Sequence, residues 1–409
     1  MMISSLRARV ALTALSFVFL TAPAAAEKRY DVGASDTEIK VGNVYAYTGP
    51  AAAYGAIGKV EAAYFRMVNE RGGVNGRKIV FISYDDAYSP PKTVEQTRKL
   101  VEHDDVLFLF NPLGAAPTLA VIGYLTERKI PLLFVSSGAT VFGDAAKYPW
   151  TLSGQPNYQS ESRIYAHYLL ETHPQARIGV LFANDEFGRD SLKGLKDGLG
   201  ARAAAMVVAE RVYETGDTSV DAQILALRAA GADVLVNFST PKFTALAIRK
   251  TAELGWKPLH IIPSVSQSVS ATLKPAGLDH ATGVLSAAFA KDPDDPTWAD
   301  DEGVKTWRAF MARYMPDVDP RNSLYVYGYN LAQALVRVLE ACGDDLTRAN
   351  VMKQAESLKE APLDLLLPGV TISTSPTDHF PFKQMQMQRF DGARWVRFGP
   401  VLTGPVTLP

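Results

Sequence analysis

The sequence predicts an α/β fold made of two domains built on the same pattern, and three observations carry that prediction. Strand-like segments alternate with segments of helical periodicity. The strand-like segments are apolar throughout, as strands covered on both faces by helices are. The alternation breaks at a polar bridge, Ser153-Gly154-Gln155-Pro156-Asn157, and then restarts. Length agrees, because 409 residues exceed what one hydrophobic core accommodates.

In the first set, 39–46 reads as a short strand, and a Gly/Pro/Ala loop leads into a helix over 56–70. That helix is stopped by Arg71-Gly72-Gly73-Val74-Asn75-Gly76, a sharp turn signal. The strand 78–84 ends at Asp85-Asp86. Ser89-Pro90-Pro91 has the form of a helix start, a serine cap with proline in the first turn, and the helix runs to 103. The apolar strand 106–110, a helix over 116–128 and the strand 132–135 follow.

Beyond the bridge come helix 159–172, strand 177–183, helix 189–199, strand 206–213, helix 220–230, strand 234–238, helix 241–254 and strand 259–262, then an apolar run over 283–290. Asp292, Asp294 and Asp295 lie close together, but they lack the central glycine and closing glutamate of a calcium loop and read as a solvated turn. Helices are expected over 304–314 and 325–341. In the first of these, Trp307, Phe310 and Tyr314 mark a buried face. The tail, 383–401, alternates as strands do and turns at Asp391-Gly392, a hairpin signal.

The first 26 residues have the pattern of a secretory leader: Arg7 and Arg9, an apolar run over 10–20 too short to span a bilayer, and the small residues Ala24-Ala25-Ala26 at the expected cut. The reading is therefore an exported, periplasmic chain. With 42 basic and 43 acidic residues, nothing recruits nucleic acid or an anionic membrane surface. Cys342 is the only cysteine and reads as a buried inert thiol.

Motifs for chemistry are missing. There is no G-x-S-x-G elbow, no phosphate-binding loop, no H-E-x-x-H and no paired-cysteine spacing, and the six histidines are scattered. No metal and no cofactor are expected. More informative are the loops at strand carboxyl ends, where open α/β sheets bind ligands: 48–55, Asp85-Asp86, Asn111 to Ala115, Ser136-Ser137-Gly138-Ala139-Thr140, Asn184-Asp185-Glu186-Phe187-Gly188, Ser239-Thr240 and Ser264 to Gln267. Small residues, hydroxyls and a few aromatics make a pocket of orienting hydrogen bonds with no general base. Asp85 and Asp86 read as turn-holding acids, and the loop ending at Thr140 reads as a seat for a carboxylate.

Thr48-Gly49-Pro50 with Tyr54-Gly55, Asn69 to Arg77, Tyr84-Asp85-Asp86, Ser137-Gly138-Ala139-Thr140 and Asn184 to Gly188 occur together and in order. In this the chain resembles the periplasmic substrate-binding proteins of the leucine/isoleucine/valine-type ABC importers. The resemblance implies a type I periplasmic-binding-protein fold, two Rossmann-like lobes joined by three hinge crossings near 153–157, 287–291 and 374–383. The first lobe would comprise 36–153 with 289–375, and the second 156–287 with 383–409. It also implies a ligand carboxylate held by Leu113, Gly114 and Ala115 and by Gly138, Ala139 and Thr140, with Tyr54 packing on the ligand and Phe187, Ser239, Thr240 and Ser264 closing from the second lobe. The implied partner is an ABC-transporter permease, the chain being a monomer and not an enzyme. Two departures bear on the ligand. Ala115 stands where amino-acid binders place a serine, and Ser264 where they place an acid for the ligand ammonium. Branched-chain amino acids and aromatic or aliphatic carboxylic acids both remain open, as do, in other classes, a secreted hydrolase or amidase and a ligand-sensing receptor partner on the same scaffold.

Overall fold

The structure, a computed structural model, describes residues 28–404; the leader read at 1–26 lies outside them. The fold is α/β with parallel sheets. One sheet holds five parallel strands in the spatial order Lys78–Asp85, Glu38–Tyr45, Phe108–Phe110, Leu132–Val135 and Thr151–Ser153. A second sheet holds seven, in the order Trp395–Thr403, Gln384–Phe390, Leu285–Ala288, Leu259–Ile261, Val234–Phe238, Ile178–Ala183 and Val207–Tyr213. Its first two strands form an antiparallel hairpin that joins the parallel set along Leu285–Ala288.

The strands form where they do because their side chains are apolar on both faces. Phe108 to Phe110 and Leu132 to Val135 have no exposure at all. The helix Gly55–Glu70 lies on the helix Ser323–Cys342, and Gly328 allows the approach, since a Cβ there would press on Ile57 and Val60. At that contact Trp307, Phe310, Tyr64 and Tyr329 pack edge-on and stacked.

The chain leaves the first sheet after Ser153, returns from the second after Ala288, and enters the second again at Gln384. The helix start expected at Ser89 has proline in its first turn but no side-chain cap; Thr93 turns its hydroxyl instead to Asp86, at 2.6 Å. The strand Thr151–Ser153, the helix Arg348–Ala355 and the short helical turns between Val269 and Ala281 have too few periodic residues to be read from sequence. Asp295 is not the solvated acid expected: it is 6 % exposed and takes contacts from Arg394 and Arg397.

Candidate functional site

Each parallel sheet has one point where the strand order reverses, and a crevice opens there. In the first sheet it falls between Glu38–Tyr45 and Phe108–Phe110, whose following loops carry Tyr54 and Leu113 to Ala115. In the second it falls between Ile178–Ala183 and Val234–Phe238, followed by Phe187 and Thr240. The two reversal points face each other. Between them lies a compartment whose walls include Tyr54, Leu113, Gly114, Ala115, Phe187 and Thr240.

Aromatic residues dominate this compartment. Tyr88 and Tyr158 join Tyr54 and Phe187 on its wall, with Tyr158 and Phe187 edge to face at 4.9 Å. Burial pushes the phenols of Tyr54, Tyr88 and Tyr158 above their ordinary range, so all three stay neutral and keep a donor O–H. Tyr88 is delivered by a strained turn in which Ala87 and Tyr88 both adopt left-handed φ, of 53° and 60°. Asp85 and Asp86 hold that turn: the Ala87 N–H donates to Asp85 at 3.1 Å and the Tyr88 N–H to Asp86 at 2.8 Å. Asp85 also takes the Tyr47 and Thr48 N–H groups and the Thr48 hydroxyl.

The polar groups are few. The helix Ala115–Glu127 begins on this wall with no side-chain cap at Gly114, and the first N–H groups of a helix have no partner within it. Gly114 has φ 90°, and a Cβ there would run into the Tyr88 ring. Gln155, 7 % exposed, lines the compartment, and its side-chain amide has no hydrogen-bond partner among the described residues. Ser136 and Thr240 add hydroxyls to the three phenols. No acidic side chain stands among the lining residues.

Gly138, Ala139, Thr140 and Ser239 are not on this wall. Gly138 is pressed against the Pro156 carbonyl and the Tyr158 ring, where a Cβ would clash. Thr140 donates through its N–H and its hydroxyl to one oxygen of Asp190, at 2.6 and 2.8 Å, and Gln159 donates to the other. The anion seat read at Thr140 therefore holds a carboxylate of the protein itself, carried by the helix Glu186–Leu199. Ser239 is wholly buried. Ser264 opens onto a second chamber, and its N–H and hydroxyl donate to Glu161 at 2.6 and 2.8 Å. Glu161, which also accepts from Tyr165 at 2.6 Å, is 2 % exposed; burial pushes its carboxyl up, opposed by these donors. An acid thus stands behind Ser264, but its contacts turn it inward. Asp185 caps the helix Glu186–Leu199 through the Gly188 N–H.

The second chamber is partly open to solvent and shares Tyr54, Gln155 and Val265 with the first. It runs along 288–293, beside the point where the chain leaves the second sheet. The sequence reading missed Gln155, Tyr88, Tyr158 and Asp190, while Val265 lies in the loop it named, Ser264 to Gln267. Tyr88 follows a strand end and lay within reach of the same rule. Gln155 belongs to the polar bridge, which reads as a connection and not as a wall, and Tyr158 opens the helix that follows it.

Two facing lobes, each offering strand-end loops to an enclosed compartment, define a solute-capturing protein. The chain belongs to the periplasmic binding protein family, whose model matches residues 38–394. Its curated relatives include proteins of the Leu/Ile/Val-binding type. The Leu/Ile/Val-binding protein homolog 1 of Brucella abortus (strain 2308) is 27 % identical over 341 residues, 81 % of this chain and 87 % of that one. A branched-chain amino acid ABC transporter protein from Thermus thermophilus, solved with bound valine, superposes with a TM-score of 0.80 at 18 % identity, over 90 % of this chain and 97 % of the other. A fatty acid ABC transporter substrate-binding protein from Thermomonospora curvata superposes with a TM-score of 0.77 at 21 % identity, over 93 % and 97 %. The fold is the type I periplasmic-binding-protein fold.

Proposed function

We propose that the protein is the extracytoplasmic solute-binding component of an ABC importer. It captures a small carboxylate between its lobes and delivers it to permease subunits in the membrane. The observation that carries this reading is the aromatic compartment, whose polar groups include an uncapped helix start at Ala115 and the unpartnered Gln155 amide beside neutral hydroxyls. Helix N–H groups and an amide suit an anion. No acid lines the compartment, and Asp185, whose charge acts on the Tyr54, Tyr88 and Tyr158 phenols, is turned to the Gly188 N–H, so an ammonium enclosed there would lack a direct carboxylate partner, at a cost of several kcal/mol. An aromatic or aliphatic carboxylic acid therefore fits better than a branched-chain amino acid.

Closure uses the crossings near 153–157, 287–291 and 374–383 as a hinge between the first lobe (36–153 with 289–375) and the second (156–287 with 383–409). The chain acts as an exported monomer without catalysis. Supporting this, the curated relatives are binding proteins, and the buried His260 and His379 are engaged with Asn237 and with Glu356 and Thr151, away from the compartment.

Thermal-shift screening tests the reading. A ligand at about 100 times its Kd stabilises by roughly 2.7 kcal/mol. Benzoate or an aliphatic acid should raise the melting temperature, and Gln155→Leu should weaken that ligand about tenfold. A shift with leucine or valine and none with amine-free acids would return the amino-acid reading; a shift with a neutral sugar alone would overturn the carboxylate class.

A further inference from the structure

We infer that the ligand is longer than the aromatic compartment: a carboxylate whose apolar tail passes Tyr54 into the hinge-side chamber. The inference rests on the carboxylate reading above. The inner compartment is the tighter of the two spaces at this site. The chamber beyond it, partly open to solvent, is the roomier, and the two share the walls Tyr54, Gln155 and Val265. A ligand confined to the inner compartment would leave the larger space unused.

The chemistry of the chamber selects the tail. Its walls include Val269, Phe289, Leu324 and Trp395. Both cationic side chains on the wall are already paired, and the one acid holds a backbone N–H. Lys291 pairs with Asp301 at 2.7 Å and Arg321 with Asp319 at 2.9 Å, while Asp292 accepts the Asp294 N–H at 3.0 Å. The remaining polar groups largely serve one another: Gln388 donates to Gln267, and the Ser264 hydroxyl serves Glu161. A second anionic end of a ligand would have to break one of the two ion pairs or face the Asp292 carboxylate, whereas a hydrocarbon chain need only displace water. The carboxylate then stays at the Ala115 helix start beside Gln155, and the chain extends along Val265.

Titration calorimetry of the full-length mature protein with propanoate, hexanoate, octanoate and decanoate tests this. Affinity should rise about fourfold for each methylene buried, then level off when the chamber is filled. Val269→Trp, which fills part of the chamber from a half-buried position, should make the rise level off at a shorter chain. Affinity that is flat or falls with length overturns the inference while leaving the carboxylate reading standing. The same holds for a length dependence that Val269→Trp does not change. Binding of no acid in the series, with a neutral solute bound instead, overturns the carboxylate reading itself. Should Val269→Trp fail to fold, Ser323→Phe narrows the same chamber from the start of another helix.

Discussion

Glu61 is the residue whose chemistry is furthest from its surroundings. It lies on the helix Gly55–Glu70 with no exposure, and neither carboxyl oxygen has a hydrogen-bond partner among the described residues. Burial alone holds its carboxyl well above the ordinary range, near the phenols of Tyr45, Tyr47 and Tyr327. The folded protein therefore keeps this proton to higher pH than the unfolded chain does. Stability from this group is fully present below the unfolded carboxyl value of about 4.3, and is lost as pH rises towards the folded value. Glu61→Met removes the buried polar atoms, and it should raise unfolding stability at pH 8 by about 1–3 kcal/mol, with a smaller gain at pH 4. Urea titrations at the two pH values check this, and a gain equal at both, or a loss at pH 8, would refute it.

Turns carry the element-scale consequences. The turn at Ala87 and Tyr88 places two non-glycine residues in left-handed backbone so that the Tyr88 ring reaches the compartment wall. Left-handed φ costs a residue with a Cβ roughly 1–2 kcal/mol, a strain that the Asp85 and Asp86 contacts offset. Ala87→Gly should therefore stabilise the fold by up to about 1 kcal/mol, against the usual loss on introducing glycine. Equilibrium denaturation measures the difference, and a destabilised variant would show that the turn is not strained. The sheets and long helices themselves were legible in the sequence, since Phe108 to Phe110 or Trp307 with Phe310 declare burial by spacing alone. The three-residue strand Thr151–Ser153 was not, because so short a segment has no measurable period.

At the scale of the whole molecule, the closest polar contact between the lobes is the one from Thr140 to Asp190. Two donors on the first lobe meet a carboxylate on the second, so separating the lobes must expose or re-pair all three groups. Such charge-assisted contacts contribute roughly 1.5–3 kcal/mol each. If they form only on closure, Asp190→Ala lowers the closed population, and apparent ligand affinity should fall at least fivefold. Calorimetry gives the affinity, and small-angle scattering should report a larger mean radius for the unliganded variant. Unchanged affinity and radius would mean that the contact persists in the open form and does not act in closure.

The sequence by itself determined the class of this protein: the α/β alternation, the break after Ser153, the loops at strand ends, and the motif set that marks the family. These are local properties, set by the period of apolar side chains and by turn residues. Only the tertiary structure decided what those loops do. It gave Thr140 to Asp190, fifty positions away, put Glu161 behind Ser264 across 103 positions, and left Gln155 free between two chambers. Spacing along a chain records which face of an element is buried. It does not record which polar group from a distant element arrives to satisfy a donor, and at this site that partnership separates a ligand contact from a structural one.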